Sequence, residues 1–224
     1  MNSKAVNSMI RKVIRPQLKS LGFSRFTGRN SWRFHDDRID VVNFQSFNSY
    51  HAEVMEITSY SFAVNLGCFY THIPSNGDYK ACSTSKDGEL RPQEQECQFR
   101  ASLTPRVEQK TNPETCVWYI DPLGQALDAS INDVASQISE FSEPWFQQFS
   151  DPTQTLEILM KSKTDMKLLW GFGNIPSPRR SYLIGYFALK LGNLPLAKTH
   201  LSLALESGCY AQVADRIRDE ISAG

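Results

Sequence analysis

A chain of 224 residues, 41% of them hydrophobic and 21% charged, can bury a core without disulfides or a structural metal. Its profile excludes a disordered or fibrous polypeptide. The 24 basic and 24 acidic residues cancel, but they are unevenly placed. Residues 1–34 carry eight basic groups and no acid, which leaves sixteen basic against 24 acidic residues in the rest of the chain. A second acid-free stretch, between Asp165 and Glu206, carries Lys167, Arg179, Arg180, Lys190 and Lys198. Such segregation attracts nucleic acid or an acidic protein, although a basic segment more often packs beside acids or faces water.

The five cysteines are odd in number and contain no CxxC pair. No apolar N-terminal run reads as a signal peptide, so reduced thiols and a cytoplasmic location are expected. No run of about 18 apolar residues is present, so no membrane span is expected.

In chain order, Val6, Met9, Ile10, Val13, Ile14, Leu18 and Leu21 recur at helical spacing, with a kink or restart expected near Arg15 because of Pro16. Gly22 stands where a helix stops. A β-rich region follows. It runs from Phe23 to Phe34 with a turn at 28–30, through a polar connection at His35–Arg38, and on as a strand from Ile39 to Phe47. Asn48–Glu53 reads as a loop. Ser59–Tyr70 is the clearest strand, with Phe62, Val64, Leu66 and Cys68 alternating against Ser61, Ala63, Asn65 and Gly67. Residues 74–97 read as a long polar surface loop. Strands are expected at 98–107 and 115–121, and turns between neighbours imply a mainly antiparallel sheet.

The period becomes helical at Leu127, Ile131, Val134, Ile138 and Phe141, with Pro144 closing the helix. Trp145, Phe146 and Phe149 form an aromatic lid on the core. Asp151 and Pro152 open another helix, and Gly171–Pro178 breaks the chain. The segment 181–222 reads as a helical pair plus a closing helix. Gly185, Ala188, Gly192-Asn193, Ala197, Leu201 and Ala204 resemble one tetratricopeptide unit, without the proline usual after its second helix. The expected fold class is α+β, with a mainly antiparallel sheet and packed helices in residues 1–150 and an α-helical extension over 151–224.

Chemical motifs are few. There is no phosphate loop, HExxH, GxSxG or calcium loop, so no catalytic residue, metal ligand or cofactor is read. His35-Asp36-Asp37-Arg38-Ile39-Asp40 is the densest titratable cluster and reads as a solvated turn. Asn43, Gln45 and Asn65 are amides inside strands, where an unsatisfied amide costs about 1–3 kcal/mol. With Arg100, a two-pronged anion donor, they are the candidate ligand-binding residues. The bland alternative is amides that tie strands together. Arg25, Phe26, Arg29, Trp32, Arg33 and Phe34 supply a basic–aromatic mixture of the kind that binds nucleic acid.

Leu21-Gly22-Phe23, Trp32-Arg33-Phe34, Val41-Val42-Asn43-Phe44-Gln45 and Ser61-Phe62-Ala63-Val64-Asn65-Leu66-Gly67, in that order after a basic helix, resemble a bacterial family catalogued as domain of unknown function 4304. The resemblance covers roughly residues 1–150 and carries no established activity or catalytic residues. Its context implies toxin-neutralising or interaction roles. The expectation is therefore a non-catalytic protein-interaction domain with a protein partner. A ligand-binding protein or small enzyme with an amide-lined cleft is the first alternative, and a weak nucleic-acid binder the second.

Overall fold

The computed structural model describes residues 1–75, 85, 88–107, 116–161 and 177–222. The fold is α+β. Six strands form a mainly antiparallel sheet: β1 (Arg25–Phe26), β2 (Asn30–Phe34), β3 (Arg38–Ser46), β4 (Phe62–Tyr70), β5 (Phe99–Ser102) and β6 (Val117–Trp118). The strand order is β1-β2-β3-β4-β5, with β6 pairing β4 off that path. The β2–β3 hairpin sets Asn30 opposite Asn43 and Trp32 opposite Val41. The chain divides into two compact units, Met1–Gly67 with Ala101–Trp145, and Cys68–Arg100 with Phe146–Gly224.

The first unit opens with a helix in three parts: α1 (Ser3–Met9), a π-helical segment (Ile10–Ile14) and α2 (Arg15–Ser20). Val6, Ile10, Ile14 and Leu18 form its buried stripe. The irregularity expected near Arg15 is present as the change from the π segment to α2, with Pro16 in the first turn of α2. The wider π turn immediately before it absorbs the missing N–H and the ring clash that would break an α-helix. Gly22, at φ +90°, closes the helix as expected. Its N–H donates to the Lys19 carbonyl and that of Phe23 to the Leu18 carbonyl, the paired bonds of a Schellman end.

The second long helix repeats this device. α4 (Leu127–Gln137) runs through a π-helical segment (Ile138–Ser142) into α5 (Glu143–Gln147), so Pro144 lies inside the helix rather than closing it. α4 packs against the π turn of the first helix, where Gln17 Nε2 donates to Ala135 O and Ser139 Oγ, both at 2.7 Å. On the sheet, Phe62 stacks on Trp118 with centroids 5.7 Å apart, and Trp118 Nε1 donates to Asp133 Oδ2 at 2.9 Å. Trp145 is buried in this unit.

Two strand-region expectations change. Residues 49–54 are a helix, α3 (Ser49–Val54), capped by Asn48 Oδ1 on the His51 N–H. Six residues are too few to show a helical period. All nine residues of β4 are buried, so its alternation up to Cys68 sorts large side chains from small ones rather than core from solvent. Much of the 74–97 loop and the 171–176 break lie outside the described residues. Inside that loop, Glu94–Glu96 forms a 3₁₀ turn.

The second unit contains α6 (Pro152–Met160), α7 (Pro178–Lys190), α8 (Leu194–Glu206) and α9 (Ala214–Ser222). Asp151 caps α6 through the Thr153 N–H at 2.9 Å. Arg180 Nη1 donates to the Leu159 and Lys161 carbonyls at the end of α6, where a cation complements the helix dipole. α7 and α8 form a hairpin in which Gly185 faces Leu201 so closely that an added Cβ would lie 2.4 Å from Leu201 Cγ. Tyr70, Phe99, Phe149 and Phe187 form the aromatic core. Phe99 and Phe149 stack at 4.5 Å, and Tyr70 meets Phe187 edge-on at 4.8 Å.

Candidate functional site

In the first unit three of the four sequence-predicted residues meet. On β3 the period of two puts Asn43 and Gln45 on one face, and β2 presents Asn30 opposite Asn43. Asn43 Nδ2 donates to Asn30 Oδ1. Asn65 Nδ2 donates to Gln45 Oε1 at 3.0 Å and, more weakly, to Asn43 Oδ1 at 3.5 Å. From β5, Ser102 Oγ donates to Asn65 Oδ1. The result is a polar row across four strands. Asn65, buried at its centre, is satisfied by residues 20–37 positions away in the chain. Each amide bonds to another amide or to a hydroxyl, so the row cross-links the strands as the bland alternative expects. Its Gln45 end is exposed.

From Gln45 the chain passes through Asn48 into α3. There Tyr50 is 70% exposed and Val54 66% exposed, four residues apart on one helix face. This apolar pair had no sequence signal, because α3 itself read as loop.

Arg100 belongs to the second unit, where its Nε donates to Glu94 Oε1. The same unit contains a cavity of about 240 Å³ lined by Ile73, Cys97, Gln98, Arg179, Tyr182 and Tyr210, among others. Tyr182 and Tyr210 stack at 4.1 Å, the Tyr182 hydroxyl donates to the Pro74 carbonyl at 2.8 Å, and Arg179 Nη2 donates to the Gln98 carbonyl at 2.9 Å. Desolvation pushes the Tyr182 phenol well above its ordinary range. None of the four sequence-predicted residues lines this cavity.

The titratable cluster at 35–40 is not a solvated turn throughout. Asp36 is exposed and Asp37 half-buried, but Asp40 is fully buried and Arg38 nearly so. Asp40 accepts from Arg33 Nε at 2.9 Å, faces Arg38 Nε at 2.9 Å and meets His35 Nε2 at 2.8 Å. Arg33 also donates to Glu143 Oε2 and to the Leu21 carbonyl, each at 2.8 Å. Burial alone would raise the Asp40 carboxyl. The His35 hydrogen bond and the charges of Arg38 and Arg33 outweigh it and hold the group below its ordinary value. The two arginines and two carboxylates therefore pin the β2–β3 hairpin to the end of α2 and to α5. Among the described residues, no three His, Cys, Asp or Glu side chains are grouped to hold a metal ion, and no helix is long and apolar enough to cross a membrane.

These features define an α+β protein whose polar network ties a mainly antiparallel sheet together. Residues 14–148 match the family model described as Domain of unknown function (DUF4304), and the chain belongs to that family. No curated protein and no solved structure shows significant similarity to it.

Proposed function

We propose that this protein is a non-catalytic interaction domain that binds another protein, in the manner of an immunity protein covering a toxin in the bacterial cytoplasm. The observation that carries this reading is the exposed Tyr50–Val54 pair on α3. An exposed aromatic beside an aliphatic side chain and a polar strand end has the composition of a binding hot spot with its rim. The amide row supports the reading from the other side. Its hydrogen-bonding groups are engaged with one another and give the sheet a fixed surface, instead of converging on a small ligand. The C-terminal hairpin, tetratricopeptide-like in its small residues, belongs to the same reading as a structural element.

The test is co-purification of the full chain from its native cell at low salt, alongside a Tyr50→Ala/Val54→Ser variant. The wild type is expected to retain a stoichiometric partner that the variant loses while keeping its urea midpoint. A wild-type chain that elutes alone refutes the reading.

A further inference from the structure

The first helix carries a basic face on which Arg15 donates to the Thr27 carbonyl at 2.6 Å while the other cations stay exposed. Lys4, Arg11, Lys12, Arg15 and Lys19 lie outside the buried stripe of Val6, Ile10, Ile14 and Leu18. They are spread over about 22 Å of helix at about 1.5 Å per residue. Lys4, Arg11, Lys12 and Lys19 are exposed. Residues 1–34 contain no acid, so no carboxylate three or four residues away on the helix neutralises them. The ion pairs found among the described residues lie elsewhere. Exposed Arg106, Arg216 and Arg218 each hold a carboxylate, whereas these four cations hold none.

Two of the three aromatic residues that would turn this face into a nucleic-acid platform, Trp32 and Phe26, are engaged in the fold. Trp32 is buried. Arg33 is spent on Asp40 and Glu143. The Phe26 ring is covered by the Arg15 guanidinium at 5.0 Å and approached by the Lys19 ammonium at 5.9 Å. The rest of the chain carries the excess of acid, which repels a dense polyphosphate more than it repels a protein of moderate charge.

From this geometry we infer that the Lys4–Lys19 face is a docking surface for the acidic face of a protein partner. The inference rests on the interaction reading above and gives the partner its charge. Charge complementarity of this kind steers association and is screened by salt.

The full chain is titrated by fluorescence anisotropy at low salt with three probes. These are a 20-residue glutamate-rich peptide, a 12-base-pair DNA duplex, and phosphatidylserine vesicles. The peptide is expected to bind most tightly, to be released at high salt, and to bind Arg11→Glu/Lys12→Glu about tenfold more weakly. Should that variant fail to fold, Arg11→Gln/Lys12→Gln removes the charge without reversing it and is expected to weaken binding in the same direction. No peptide binding, equal binding by a folded variant, or tighter binding of the duplex or the vesicles overturns the inference. Each of these outcomes leaves the interaction reading to its own test at Tyr50 and Val54.

Discussion

Replacing Asp40 by Asn preserves the shape of the side chain and removes its charge. The carboxylate is fully buried between two guanidinium groups whose side chains are only 8% and 4% exposed. Without it, Arg38 loses its ion pair with Asp40, while Arg33 keeps Glu143 at 2.8 Å. Breaking a buried ion pair from one side costs about 3–5 kcal/mol. The surviving Arg33–Glu143 bond, with Glu143 partly exposed, places the expected loss for Asp40→Asn near about 3 kcal/mol, at the lower end of that range.

Urea unfolding at pH 7, followed by tryptophan fluorescence, measures this as a lower midpoint at unchanged slope. The pH dependence supplies an internal check. The folded-state pKa of Asp40 lies below its ordinary value, so its contribution is fully present above the unfolded value of about 3.9 and is lost as pH falls through the folded one. The gap between wild type and variant should therefore close as pH falls below about 3.9 and through the lower folded-state value. A loss below about 1 kcal/mol at pH 7, the worth of an exposed pair, or a gap that persists once the carboxyl is protonated, refutes the role given to Asp40.

Two further substitutions probe each unit separately. Asn65→Ala removes the centre of the amide row and leaves Ser102 and Gln45 without their partner, so a loss of about 1–3 kcal/mol is expected by urea unfolding; a neutral result would mean that water replaces the amide at no cost. Gly185→Ala pushes a methyl group to 2.4 Å from Leu201 Cγ and 3.3 Å from the Leu201 backbone nitrogen. The close approach of α7 and α8 should make it cost about 1–3 kcal/mol despite alanine's better helix propensity, and a rise in melting temperature would show that the two helices can separate.

Much of the local structure was legible because it is encoded within a few residues of itself. The apolar stripe of the first helix, the Gly22 stop, the His35–Arg38 connection and the Asp151 cap each depend on neighbours close in sequence, and each is present. The irregularity expected near Arg15 is present as the change from π segment to α2, whereas Pro144, expected to close its helix, lies inside α5. Each proline follows a π-helical segment, the first of which packs against α4.

The sequence by itself determined the class of fold, the order of most elements, the family resemblance and the basic character of the first helix. Only the tertiary structure decided what the polar residues do. Asp36 and Asp40 are the same residue type within five positions, but the first is exposed and the second is buried between arginines. Asn43 and Asn65 are strand amides in any reading, and only sheet pairing sets each within reach of the other and of Ser102. Periodicity reports the face of an element on which a side chain lies. The solvation and charge it meets there come from residues distant in the chain, and for a polar group those two quantities determine its energy.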